Sequence, residues 1–279
     1  MKGDDSMDLK EKMKVIESVS DGGSTFEVLE FDNLDGASDP AMAMALYFAK
    51  QSGLRSRIVR VKLNNSSVKT EAGALYYSKG NLVSDAKMGG VGGFFKKGIS
   101  GALTSESLVK PSYKGTGEIY LEPSFKHYYI MELKNETIII DKGVFYCCSD
   151  SLELKAVSQK NVSSAILGGD GIFQLRVSGT GVLILELSVP KNEIVEYELN
   201  GSEELKVDGD FSFARTASVN FSVTKSQKSL FKSAMSGEGF LNTYSGTGKV
   251  WLAPTSSIYR EFGYGFMPGN SGMDNNEID

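Results

Sequence analysis

Few residues in this chain are of a type that could do chemistry, and their spacing limits what that chemistry could be. The single histidine, His127, is followed by Tyr128 and Tyr129. One histidine could serve a serine triad, yet no Gly-x-Ser-x-Gly elbow presents a nucleophile. The two cysteines, Cys147 and Cys148, are vicinal in an apolar run that reads as a strand. Their side chains then point to opposite faces, and neither belongs to a Cys-x-x-Cys pair. Zinc needs several His or Cys ligands, so no metal and no cofactor is expected. Three acidic residues, Glu106, Asp170 and Glu238, lie eight or nine residues before recurrent Gly-Thr-Gly triplets. They read as turn carboxylates or as a set that could converge on a cation near a symmetry axis.

The most unusual local sequence is Gly89-Gly-Val-Gly-Gly-Phe-Phe-Lys-Lys-Gly98, followed by Ile99. Glycine-rich loops can offer backbone N–H groups to phosphate, but this one lacks both the Gly-Lys-Ser/Thr ending of a P-loop and the Rossmann spacing. Phe94, Phe95, Lys96, Lys97 and Ile99 form a candidate interaction loop. Three readings stay open: capping of a sheet, contact with a partner or second copy, and insertion of the phenylalanines into a membrane interface with the lysines at the headgroups.

The elements that would carry these residues are set by repetition. Gly-Thr-Gly occurs three times, with first glycines at 115, 179 and 246, so 64 and 67 residues apart. Gly115, Gly117, Gly179, Gly181, Gly246 and Gly248 are read as structural turn glycines, each triplet opening a β-run that contains Tyr120, Ile184 or Trp251. A second landmark keeps step: Val68 to Tyr76, Ile138 to Tyr146 and Leu205 to Phe213 share a strand–turn–strand pattern around Gly73, Gly143 and Gly209. Two motifs in phase predict one unit used three times.

The flanks read differently. Residues 1–24 are a polar tail, although Leu9, Met13 and Ile16 also fit a short helix. Phe26 to Phe31 is a first strand. Asp39 and Pro40 then start a helix over Ala41 to Gln51, closed by Gly53, whose Met42, Met44, Tyr47 and Phe48 are expected to pack on the sheet. Alternation from Val59 to Leu63 begins the first repeat, Asn64-Asn65 turns the chain, and Lys79-Gly80 reads as a linker. The expected divisions are 25–124 for strand, helix and repeat 1, 125–189 for repeat 2, 190–256 for repeat 3, and 257–279 for a largely disordered tail. Ser188 to Asn192 is the clearest joint.

Composition excludes some function classes. Of 279 residues, 41% are hydrophobic and 23% charged, as in a globular protein. A net charge of −5 gives no general attraction for nucleic acid, and none is expected as a partner. A vicinal cysteine pair without disulfide spacing points to the cytoplasm.

Ser105-Glu-Ser-Leu108 with Gly115-Thr-Gly-Glu-Ile-Tyr-Leu-Glu-Pro123, and Ser236-Gly-Glu-Gly-Phe240 with Gly246-Thr-Gly-Lys-Val-Trp-Leu-Ala-Pro254, resemble the altered-inheritance-of-mitochondria family across about residues 55 to 256. The resemblance implies an all-β fold: three tandem repeats of an antiparallel β-sandwich or short double-stranded β-helix unit about a pseudo-three-fold axis, each similar to a subunit of the tryptophan-responsive RNA-binding attenuation protein. Eukaryotic relatives are linked to mitochondrial inner-membrane organisation. The reading is therefore a non-enzymatic scaffold with a homo-oligomer or protein partner. The alternatives are a small-ligand module with its pocket between repeats, and peripheral membrane contact. The 26–53 extension departs from the family pattern.

Overall fold

A computed structural model describes residues 12–84, 110–141, 143–159, 172–208, 211–225 and 240–265. Thirteen strands form one antiparallel sheet system, with two α-helices among the described residues. β1 (Met13–Asp21) and β2 (Ser24–Phe31) precede α1 (Pro40–Gln51). Three strand groups follow: β3 (Arg57–Thr70), β4 (Leu75–Ser84) and β5 (Ser112–Leu121); β6 (His127–Asp141), β7 (Phe145–Ser149), β8 (Glu153–Gln159) and β9 (Ile172–Leu187); β10 (Val195–Asp208), β11 (Ser212–Thr216), β12 (Val219–Lys225) and β13 (Phe240–Leu252). The chain then enters α2 (Ser256–Gly265).

In every group the last strand lies centrally. β5 pairs with β3 and β4, β9 with β6 and with β7 and β8, and β13 with β10 and with β11 and β12. Two short pairings join successive groups: Val68–Thr70 of β3 with Cys147–Ser149 of β7, and Ile138–Ile140 of β6 with Ala214–Thr216 of β11.

The Gly-Thr-Gly triplets sit inside β5, β9 and β13, not at turns that open them. Opposite each triplet the group's first strand carries a bulge, between Leu63 and Ser66, between Leu133 and Glu136, and between Asn200 and Glu204. The bulges contain the positive-φ residues Asn65 (48°), Asn135 (57°) and Gly201 (91°), and asparagine and glycine tolerate that region best. Asn64-Asn65 is therefore a bulge in a continuing strand, not a turn, because the freed N–H of Asn65 is satisfied by Thr116 Oγ1 at 3.0 Å. Thr180 Oγ1 likewise accepts from Asn135 N–H at 2.9 Å.

On the other edge of each triplet a neighbouring strand crosses closely. A Cβ at Gly115, where φ is +141°, would lie 2.0 Å from the Asn81 carbonyl oxygen. One at Gly248, where φ is +144°, would lie 2.1 Å from Thr216 Oγ1, which instead accepts from Lys249 N–H at 3.0 Å. Ser149 Oγ accepts from Val182 N–H in the same way at 2.9 Å. In the first group this edge is one unbroken strand, so Lys79-Gly80 lies within β4 and is not a linker.

Other expectations need correction. Residues 13–21 form a strand, neither tail nor helix, because the Asp21-Gly-Gly-Ser24 turn, with Gly22 at φ +56°, folds β1 back on β2. Residues 256–265 are helical, not disordered: Thr255 starts the helix, and Glu193 holds it by accepting from Thr255 Oγ1 and from Tyr259 Oη at 2.7 Å. Helix α1 forms as expected, with Asp39 Oδ1 accepting from Met42 N–H at 2.9 Å and Gly53 at φ +77° beyond its end. It does not pack on the sheet: none of its residues is buried, and Met44, Tyr47 and Phe48 are about three-fifths exposed. Its apolar residues are spread around the helix, so no single stripe can be covered.

The core follows the groups. One cluster joins the first and second through Val59, Val61, Ile119, Tyr146, Cys147 and Ile184. A second joins the second and third through Met131, Ile140, Leu183, Phe213, Ala214 and Trp251. A third, with Leu199, Val207, Phe221, Tyr244 and Val250, lies within the last group alone.

Gly115→Ala should therefore lower stability by about 3 kcal/mol or more in urea unfolding, combining strain with a backbone clash. Gly36→Ala, with nothing within 4 Å of an added Cβ, should change it by less than about 0.5 kcal/mol.

Candidate functional site

His127 opens β6, half-buried, with Nδ1 3.3 Å from an Arg57 guanidinium nitrogen. Arg57 also pairs with Glu30 at 2.8 Å. Burial, then the adjacent Arg57 charge, hold the imidazole pKa below its ordinary value. The hydroxyl just upstream, Ser124, shares a hydrogen bond with Tyr128 at 3.1 Å, donates to Glu186 at 3.1 Å and accepts from Lys126 N–H at 3.2 Å. Glu186 is also paired with Lys126 at 2.7 Å. This is a strap closing the β5–β6 connection, and its hydroxyl is directed at a carboxylate, not at the imidazole.

Cys147 and Cys148 are both fully buried and free. They do face opposite ways, Cys147 into the core shared with the first group and Cys148 into the core shared with the third. Burial pushes the Cys148 thiol up to about 12 and Cys147 well above its usual range. Thiols in that state are packing groups, not nucleophiles. Tyr120, Ile184 and Trp251 are core residues, as expected. Trp251 Nε1–H donates to Glu196 at 2.7 Å.

Phe94, Phe95, Lys96, Lys97 and Ile99 lie outside the described residues, as do the rest of the glycine-rich stretch and the carboxylates Glu106, Asp170 and Glu238. Among the described residues no three His, Cys, Asp or Glu side chains gather at a site that could hold a metal ion.

The surface that sequence reasoning missed is apolar. Met42, Met44, Tyr47 and Phe48 are exposed on α1, with Leu34, Leu54 and Phe125 also exposed on neighbouring loops. Tyr47 and Phe48 meet edge to face, ring centroids 5.5 Å apart. A cleft of about 240 Å³ runs beneath α1, lined by Phe31, Leu34, Tyr47, Leu54, Arg55 and Phe125. On β4, Tyr76 and Tyr77 are exposed, Tyr77 stacked 4.3 Å over Tyr120. Val195 and Tyr197 are exposed on β10. The methionine and aromatic content of α1 was visible in the sequence. Its exposure was not, because composition does not reveal which elements lack a covering layer.

A second cleft, about 380 Å³, lies between the second and third strand groups and α2, lined by Val144, Glu186, Phe211, Phe213, Tyr259 and Arg260. Arg215 was also missed. It is 4% exposed on β11, donating to Gln174 Oε1 at 3.2 Å and lying 5.6 Å over the Phe221 ring. Its Nε and one terminal nitrogen have no hydrogen-bond partner among the described residues, and burial lowers its pKa.

The sheet, with a bulge opposite each Gly-Thr-Gly strand, defines an all-β class of protein without a recognisable catalytic constellation among the described residues. The chain belongs to the mitochondrial biogenesis AIM24 family, whose pattern matches residues 48–255. An uncharacterized protein of Streptococcus pyogenes serotype M6 is 23% identical over 215 residues, which cover 74% of this chain and 84% of that one. The crystal structure of another Streptococcus pyogenes protein superposes with a TM-score of 0.54 at 21% identity, covering 75% of this chain and 92% of that one. That likeness is one of fold. No helix among the described residues is long and apolar enough to cross a membrane.

Two outcomes follow. A water-soluble thiol reagent should leave both cysteines unmodified in the native protein at pH 8 and modify both after denaturation, read by intact mass. Because the His127 pKa is lowered on folding, the unfolded chain binds the proton first. Stability should then fall as pH drops below about 6.5, and His127→Gln should flatten that part of the stability profile.

Proposed function

We propose that this chain is a non-enzymatic, self-associating interaction protein of the cytoplasm, built from three copies of one β-unit in series. The repeated triplet, the repeated bulge and the like-placed threonine hydroxyls support the three-unit reading. Two reduced, buried cysteines fit a reducing compartment. The single observation that carries the interaction role is the uncovered aromatic and methionine surface of α1. Exposed apolar patches of this kind mark contact sites, and methionine adapts to partner surfaces.

A second reading, a small-ligand module, is favoured by the cleft between the second and third groups, whose volume lies at the lower end of ordinary ligand pockets. Phe211, Phe213 and Tyr259 would supply apolar contact there and Arg260 a charged group.

The interaction reading is tested with Tyr47→Ser/Phe48→Ser. Because both rings are exposed, the double variant should unfold within about 0.5 kcal/mol of the parent. It should lose the protein contacts that wild type retains in matched cross-linking and mass-spectrometric comparison. Turnover of a metabolite by the purified protein, abolished by a single substitution such as His127→Asn, would contradict the non-enzymatic reading.

A further inference from the structure

Helix α1 turns two faces in opposite directions. Ala43, Leu46, Tyr47 and Lys50 line the cleft beneath it. Ala41, Met44, Ala45 and Phe48, at i, i+3, i+4 and i+7, lie together on the other side, and all four are exposed, Met44 to 59% and Phe48 to 61%. A surface helix of a globular protein ordinarily turns charged and polar residues outward. These four positions carry none. Pro40 to Tyr47 also precede residues 48–255, which match the family pattern, and no residue of α1 belongs to any of the buried core clusters. Most of the helix is thus an addition that the strand groups do not use to close their own cores.

The outer face is complementary to itself. From Ala41 through Met44 and Phe48 to Gln51 the steps are three, four and three residues, the spacing of a seam between paired helices. Laid antiparallel against a copy of itself, this line overlaps at all four positions in one register: Ala41 opposite Gln51 and Met44 opposite Phe48, each contact made twice. The Phe48 ring then enters a hole whose rim includes Ala41 and Ala45 of the other helix, residues small enough to leave it room. Charge and dipole agree with that direction. Asp39 caps the N-terminal end and Lys50 lies in the last turn, so an antiparallel pair sets each acidic end beside the other's basic end and opposes the two helix dipoles. A parallel pair would set like against like. A lipid surface fits less well, because the outer face offers no lysine or arginine to headgroups and the chain carries a net charge of −5.

We propose that α1 pairs antiparallel with α1 of a second copy across a two-fold axis, with Met44 of each chain against Phe48 of the other. The interface is isologous: both copies use the same surface, so it closes at two chains. Ala45 lies beside the axis and meets its own counterpart across helix axes about 8–10 Å apart. The proposal rests on the reading of α1 as an interaction surface and gives that surface its occupant and register.

The test uses the full chain with Ala45→Cys, an exposed position in a protein whose native thiols are buried. On mild oxidation this variant should convert to a reducible dimer, whereas Lys155→Cys, at an exposed site on β8, should stay uncross-linked. Adding either Met44→Glu or Phe48→Lys to Ala45→Cys should abolish the cross-link. An equimolar mixture of those two doubly substituted chains should restore it, in dimers containing one chain of each, because the new carboxylate then lies opposite the new ammonium. Since the substituted positions are exposed, every variant should keep the native unfolding midpoint. A yield no higher than that of Lys155→Cys, a cross-link that survives either added substitution, or a mixture that fails to restore it would overturn the proposal. If Tyr47→Ser/Phe48→Ser then still loses protein contacts, a second copy is the wrong occupant and the interaction surface stands; if it loses none, that reading fails as well. Co-sedimentation of wild type with phosphatidylglycerol vesicles, abolished by Met44→Glu and with no Ala45→Cys cross-link in solution, would overturn it in favour of a lipid surface.

Discussion

The fold depends on a close backbone crossing at Gly-Thr-Gly. At Gly115 a side chain would meet the carbonyl of Asn81, and at Gly248 the hydroxyl of Thr216. The threonine between the glycines serves the opposite edge, where Thr116 and Thr180 accept the N–H of a left-handed asparagine in a bulge. One short motif thus fixes two strands at once: glycine lets one neighbour approach, and threonine repairs the hydrogen bond that the bulge in the other leaves open. The first strand of each group shifts register opposite the triplet, and beyond that shift β3 gains β7 and β6 gains β11 as a second neighbour.

Packing between groups follows from those pairings. The far half of β3 reaches β7, and the far half of β6 reaches β11, so the apolar face of each of the first two groups is covered by the next. The vicinal cysteines show this directly, since one side chain enters each of the two shared cores. A serial arrangement leaves its ends unlike its middle. The tyrosines of β4 and the Tyr197 side chain of β10 are exposed where their internal counterparts are buried. The chemistry-capable groups are meanwhile committed to structure: His127 to Arg57, Ser124 to Glu186, and both thiols to the core.

Much of this architecture was legible in the sequence because repetition is visible without knowing the fold. The phased triplets located β5, β9 and β13, and the second landmark located the turns at Gly73 and Gly143, which have φ of +82° and +97°. Local signals misled where tertiary partners decide. Asn64-Asn65 has the composition of a turn but is a bulge, since the opposing Thr116 is far away in sequence. Met13 to Asp21 has weak apolar alternation and is held as a strand by its hairpin partner β2. The caps of α1 were readable from Asp39, Pro40 and Gly53, but burial depends on a covering surface that no local pattern encodes. The candidate loop at 94–99 and the three recurrent carboxylates lie outside the described residues, so the surface argued from here is one that the sequence had assigned to the core.

The central claim is that this chain works through contacts with other protein surfaces, beginning with its own copies. Native mass spectrometry of the purified wild-type protein at low salt tests it most directly, because one spectrum reports both the number of chains and any retained small molecule. The account predicts an oligomer of defined stoichiometry whose mass is a whole multiple of the bare chain. A bare monomer at all concentrations would contradict self-association, and a stoichiometric added mass on each chain would contradict the scaffold reading in favour of a ligand-binding one.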